Sequence, residues 1–372
     1  MNKIILLLTL MAVGGCSIAQ YPVKRPMTDE GLAVVKSADV VVNQDHYGVG
    51  VSWYRVDSSA TGSQYGFIGA IVAATMDAII NAGPSSRASK AAEEVAAAAS
   101  TDYLNESLIN SLKDASKELS GEGYSVTFDS VNSVVKLEPE DTNKKLTVGV
   151  SYLLSQEASQ LKVSATAGYW NDQIKYVTPY DFDGKSPPKS ELSGAIYLNN
   201  FNYYSDTLAL PVVSPEIEQE LVSQIKERYT DENGKLPVEG SDDFKKYKKE
   251  MEEATDGKLS KSEMSIFLIR TWLADDAQLL KQEVKKAHDF FAKSIIQDFH
   301  RLDVPSFEGQ DKEVEVDENG RRVIIVGSGY GAGGIESRPA AVTEIATWAN
   351  ATQYSKDNLD KVKEIRAANK KK

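Results

Sequence analysis

Leu146-Thr147-Val148-Gly149-Val150-Ser151-Tyr152-Leu153-Leu154 and Leu161-Lys162-Val163-Ser164-Ala165-Thr166-Ala167-Gly168-Tyr169, joined through Ser155–Ser159, decide the fold. Successive side chains of a strand point to opposite faces. Leu146, Val148, Val150, Tyr152 and Leu154 therefore share one face, and Leu161, Val163, Ala165, Ala167 and Tyr169 share one after the turn. This alternation predicts an antiparallel hairpin with a single buried face. Strand-like runs at 124–137 and 195–208 extend the sheet to four or more strands, and 38–43 and 47–56 are also β-rich. Helical and strand patterns come in blocks, which predicts an α+β fold: an antiparallel sheet packed with helices, plus a long helical arm.

The arm is read from the most regular stripe in the chain. Ile266, Ile269, Leu273, Ala277, Leu280, Val284, Ala287, Phe291, Ile295, Phe299 and Leu302 recur at steps of three and four, with Trp272 and His288 beside them. At 1.5 Å per residue this is a helix of about 55 Å. It lies either in the protein's own core or against a coiled-coil-like partner. Leu104, Leu108, Leu112, Ala115 and Leu119 mark another helix, stopped by Gly121, after an Ala-rich segment at 88–99. Residues 67–82 are apolar all round with one charge, Asp77. That pattern suits a central core helix, or a segment that oligomerises or enters the bilayer. Between 216 and 261 there are 13 acidic and 9 basic residues, which predicts a solvated helical excursion. Its cluster Lys245, Lys246, Lys248 and Lys249 is answered by Glu250, Glu252 and Glu253 in self-satisfied surface pairs. Residues 313–326 read as a hairpin turning at Asn319-Gly320, and helices at 342–350 and 358–369 close the chain.

The 372 residues carry 42 Lys and Arg against 54 Asp and Glu, a net charge of −12 that disfavours nucleic acid as a partner. At the N-terminus Lys3 precedes the apolar run 4–13 and the junction Val13-Gly14-Gly15-Cys16. The run is too short to span a bilayer and has the layout of an export signal. Cys16 is the only cysteine, so no intramolecular disulfide is open to it. The junction resembles the lipobox of bacterial lipoproteins. That resemblance implies a signal peptide at 1–15 and diacylglyceryl and palmitate-type acylation of Cys16. With Ser17 next, it further implies retention at the outer membrane. Residues 16–37, with Pro22 and Pro26, then form a lipidated tether.

Motifs for chemistry are thin. Residues 323–332 run from a strand into Gly327-Ser328-Gly329-Tyr330-Gly331-Ala332, but Gly333-Gly334 and Pro339 break the helix that a dinucleotide turn requires. A flexible Gly-rich surface loop is expected instead. His288 and His300 fall on different sides of one helix, His46 is remote, and Asp181-Phe182-Asp183-Gly184 has Leu192 where a calcium loop needs glutamate. The S-x-x-K pairs Ser159–Lys162 and Ser186–Lys189 lack the context of penicillin-binding chemistry. No catalytic, cofactor-binding or metal-binding residue is therefore assigned, and no cofactor is expected. Tyr197, Phe201, Tyr203 and Tyr204 offer a candidate ligand surface, or else ordinary strand packing.

Beyond the lipobox, the segment 69–94, Tyr152–Ser155 before the Leu161 strand, and Trp272–Asp276 are similar to a group of uncharacterised proteobacterial outer-membrane lipoproteins. The resemblance implies an α+β body with a helical arm and imports no activity. The expected organisation is an α+β domain at 38–210, a charged helical region with the long amphipathic helix at 211–303, and a β-hairpin, Gly-rich loop and C-terminal helices at 304–372. The expected role is a periplasm-facing, non-enzymatic accessory, scaffold or assembly factor of the cell envelope. Its partners would be the membrane through the lipid anchor and a second copy or another envelope protein. The alternatives are a monomeric binding module for cell-wall glycan, lipid or a small molecule, and a periplasmic hydrolase.

Overall fold

The computed structural model describes residues 31, 39–43, 49–51, 91, 93–120, 127–131, 145–155, 157–171, 195–259, 261–299, 312–328 and 331–340. Residues 1–15, expected as a signal segment, Cys16, residues 67–82, Asp181–Gly184, Ser186–Lys189, His46, His300 and the helices expected at 342–350 and 358–369 lie outside them.

The hairpin forms as its alternation requires. β4 (Lys145–Leu154) pairs antiparallel with β5 (Leu161–Trp170), Leu146 opposite Tyr169 and Leu154 opposite Leu161. All ten alternating residues are buried. Ser155 closes the turn, its hydroxyl accepting from the backbone N–H groups of Ser159 and Gln160 at 3.0 and 3.2 Å. β6 (Ala195–Tyr204) continues the antiparallel run beside β5.

The expected α+β fold is present, and further out its antiparallel sheet becomes mixed. β1 (Asp39–Asn43) and β2 (Val49–Val51) both run parallel to β4, and β3 (Thr127–Val131) runs parallel to β1. On the other side β9 (Gly331–Arg338) is parallel to β6 and antiparallel to β8 (Arg322–Ser328), which pairs with β7 (Lys312–Val316). Among the described residues this is one nine-stranded sheet, ordered β3-β1-β4-β5-β6-β9-β8-β7 with β2 on β4. Parallel neighbours need a crossover, and helices supply it. α1 (Thr101–Ser120) lies in the chain between β1 and β3, after a helical stretch at 93–98, and the helices described within 215–299 lie between β6 and β9.

The described part of the Gly-rich segment, Gly327, Ser328 and Gly331–Gly334, is strand and not the expected surface loop. Gly334 has φ +145, and a Cβ there would sit 2.6 Å from the Asn200 carbonyl oxygen, so only glycine lets β9 lie against β6. The expected hairpin turn is present: Asp317 Oδ1 accepts from the N–H groups of Asn319 and Arg321, and Gly320 takes φ +77.

α4 (Lys261–Phe299) carries the long stripe, and it packs in the protein's own core against the sheet, the first of its two expected places. Leu280, Val284, Ala287, Phe291 and Ile295 are buried, with the Phe291 and Phe201 ring centroids 6.3 Å apart. Burying each such apolar side chain is worth about 1.5–3 kcal/mol, which outweighs what an extended arm would gain in solvent. Nor is the helix continuous. Asp275, Asp276 and Ala277 take φ of 52, 57 and 56, a left-handed turn that divides α4 in two. It lets Trp272 take the buried place expected for Leu273, which is half-buried; the indole N–H donates to the Ala158 carbonyl at 2.6 Å.

α2 (Pro215–Tyr229) and α3 (Asp242–Ala254) form the charged excursion. Ser214 and Ser241 cap them, accepting from the N–H groups of Ile217 and Phe244. The pair has its own small core of Leu221, Ile225 and Ala254. Lys248–Glu252 and Lys249–Glu253 are exposed pairs within α3 as its charge pattern predicts, whereas Lys245 and Lys246 pair back to Asp242 and Asp243 and Glu250 turns inward to Tyr229 and Arg228.

Candidate functional site

Three tyrosines of the sheet reach the second half of α4, and each finds a different polar partner. A buried phenol hydroxyl needs one. Tyr152 of β4 meets His288 Nε2 at 2.7 Å, Tyr203 of β6 donates to Glu283 Oε2 at 2.8 Å, and Tyr197 of β6 donates to Asp298 Oδ2 at 2.7 Å. Asn199 adds a second donor to Asp298 at 2.6 Å. These contacts fix the register of α4 on the sheet, because a slip by one residue would leave every one of these groups buried without its partner.

His288, Tyr152 and Ser107 form a line, with Ser107 Oγ 2.9 Å from His288 Nδ1, and the line superficially resembles a catalytic relay. Its electrostatics argue for a structural role. Burial first, and the Lys285 charge second, depress His288 to about pH 3, so its imidazole is neutral at physiological pH. Burial likewise pushes the Tyr152 hydroxyl far above the ordinary tyrosine range. Ser107 lies within α1, away from the helix N-terminus that would stabilise an anion.

Beside the Tyr203–Glu283 contact the surface opens into a groove of about 650 Å³ between α4 and the β7–β8 hairpin. Arg321 is held rigidly at its base. The guanidinium lies 4.7 Å from the Tyr203 ring centroid, donates to the Tyr204 carbonyl at 2.7 Å and pairs with Asp206 at 3.0 Å. Burial first, and the Glu283 carboxylate second, raise the Tyr203 hydroxyl well above its usual range against the pull of Arg321, so it stays a donor. The two banks differ in charge. On the α4 bank Lys286 reaches Glu283 at 2.6 Å, and Asp289 turns toward Lys285 and Ser111. On the hairpin bank stand Asp206, Glu315 and Asp317. Lys293 and Glu315 meet across the mouth at 3.3 Å, both well exposed.

Of the sequence-derived candidates, Tyr203 borders the groove and the others that are described fall elsewhere. Tyr197, Phe201 and Tyr203 are buried by inward alternation and form no exposed aromatic surface, though Tyr203 borders the groove beneath Arg321. Tyr204 faces the opposite side of the sheet, with Lys162 5.4 Å from its ring. Ser159 is buried in the β4–β5 turn beside Ser155. The residues 327–332 join two antiparallel strands, a geometry incompatible with a dinucleotide turn leading into a helix. The groove residues were missed because they come from segments distant in the chain. For the tyrosine contacts the visible signal was an acid, Glu283 or Asp298, flanking an apolar stripe, which implies a buried partner.

Among the described residues no cluster of His, Cys, Asp and Glu is arranged to hold a metal ion, and no helix is long and apolar enough to cross a membrane. Comparison with protein-family models, with curated proteins and with solved structures returns no match.

Proposed function

We propose that the chain is a lipid-anchored protein of the bacterial outer membrane that works as a non-enzymatic accessory or scaffold in the cell envelope. The observation that carries this reading is the junction Val13-Gly14-Gly15-Cys16, placed directly after an export-type apolar run and holding the chain's only cysteine. Two or three acyl chains on Cys16, at about 0.8 kcal/mol per buried methylene, tether the body firmly. The body supports the non-enzymatic part of the reading. Its deepest titratable groups are spent on one another across the α4–sheet interface, and the neutral His288 holds structure instead of moving protons.

Two measurements on membrane-extracted protein test this. Intact mass of the N-terminal peptide is expected to show a processed, acylated Cys16, and Cys16→Ser is expected to leave unprocessed precursor or soluble protein; an unmodified cysteine sinks the anchor. Native mass spectrometry of the lipidated form, beside a form lacking residues 1–16, is expected to show a defined oligomer or a second protein. Bare monomers in both forms would remove the scaffold reading. A binding-module role is the second reading, favoured by the groove between α4 and the hairpin.

A further inference from the structure

We infer that the α4–hairpin groove binds a short zwitterionic peptide, with a ligand carboxylate on the α4 bank and a ligand ammonium on the hairpin bank. This deepens the binding-module reading and does not depend on the anchor. The groove's volume of about 650 Å³ lies within the ~300–1,000 Å³ typical of small-ligand sites. Its charge is divided lengthwise. Lys286 and Lys293 stand seven residues apart on one helix face, about 10 Å along the axis, with Asp289 beside them turned to Lys285 and Ser111 and Lys286 also paired to Glu283; on the opposite wall Glu315 stands with Asp206, whose carboxylate also holds Arg321. A purely anionic ligand would meet the acidic wall and a neutral one would leave both rows unused. A ligand carrying both signs satisfies both.

The Lys293–Glu315 pair gives the ligand a point of entry. Its side chains are 59% and 48% exposed, so the pair contributes little to stability and opens readily. An arriving carboxylate takes over Lys293 and an arriving ammonium takes over Glu315, so neither charge is left unpaired in the complex. Arg321 behaves differently: with 17% of its side chain exposed and bonds to Tyr204, Asp206 and Ser337, it keeps the base of the groove in shape. Phe290 and Val323, lining the same groove, supply an apolar strip for the stem of the peptide.

The test titrates the full-length lipidated protein in detergent with alanyl-γ-glutamyl-diaminopimelate, a cell-wall tripeptide with carboxylates and ammonium groups, by calorimetry. Saturable binding is expected, weakened about tenfold by Lys293→Met and by Glu315→Gln. N-acetylation and amidation of the tripeptide should each weaken wild-type binding as well. Circular dichroism melts of both variants should overlay on wild type, since the pair is exposed, which separates lost binding from lost folding. The inference is overturned by an absence of saturation, by variants that bind as wild type does, or by a neutral disaccharide of N-acetylglucosamine binding as tightly as the tripeptide. The mass of acylated Cys16 on the same sample reports on the anchor separately.

Discussion

In the α4–sheet core a polar side chain is held by a tyrosine from the opposite layer, whereas in the α2–α3 pair most charges are held by neighbours three or four residues along their own helix. The first kind of contact ties together residues 80 to 136 positions apart and specifies how the layers sit. The second is satisfied within an isolated helix and specifies little beyond solubility. One node in the excursion follows the rule of the core: Glu250, mostly buried, accepts from Tyr229 at 2.9 Å and pairs with Arg228 at 3.4 Å. Charge by itself does not separate the two regions; burial of the charge does.

The sharpest way to break the comparison is to empty the two cores. Phe291→Ala is expected to cost about 3–5 kcal/mol in denaturant unfolding, because it leaves a cavity against Phe201 under the whole sheet. Leu221→Ala removes the centre of a core of only three buried apolar residues. It should expose α2 and α3 to limited proteolysis while the main unfolding transition stays in place.

Acid sharpens it next. His288 is neutral when folded, its value held at about pH 3, and protonates near 6.5 when unfolded. The unfolded chain therefore binds the extra proton, and stability present above pH 6.5 is lost as pH falls toward 3, at about 1.4 kcal/mol per pH unit from this group. His288→Gln should flatten that part of a stability-versus-pH curve measured by chemical denaturation. In alkali the sign reverses: the hydroxyls of Tyr152, Tyr197 and Tyr203 are raised by burial, so stability is lost as pH rises above about 10.

Removing one partner of a cross-layer contact comes third. Asp298→Ala leaves the Tyr197 hydroxyl and the Asn199 amide without this acceptor in a buried site, an expected loss of about 1–3 kcal/mol by equilibrium unfolding. Smaller and of opposite sign is Asp276→Gly. Asp276 sits at φ 57 with its side chain 93% exposed, so glycine relieves left-handed strain and forfeits only the ion pair to Lys281; a gain of about 1 kcal/mol is expected. Smallest is Lys249→Ala on α3, expected within about 0.5 kcal/mol of wild type because its pair with Glu253 is exposed.

Local periodicity made much of the fold legible. Alternation at Leu146–Tyr169 gave the hairpin, its buried face and the turn at Ser155–Ser159, and charge density at 216–261 gave the solvated helices. Both follow from the geometry of one strand or one helix, which is written residue by residue. The groove was not legible, since Lys293, Glu315 and Asp206 share no motif and meet only because α4 and the hairpin lie side by side.

The α+β class, the members of the core and the resemblance of the N-terminus to a lipobox were thus determined by the sequence itself, because each rests on neighbours within a few turns of chain. Tertiary structure alone decided that β9 slides in parallel beside β6 and that α4 breaks at Asp275–Ala277 and lies down on the sheet. It also decided which acid each buried tyrosine meets. Those outcomes depend on backbone pairing and burial between residues far apart in sequence, where no local pattern states which partner will be close enough to satisfy a group removed from water.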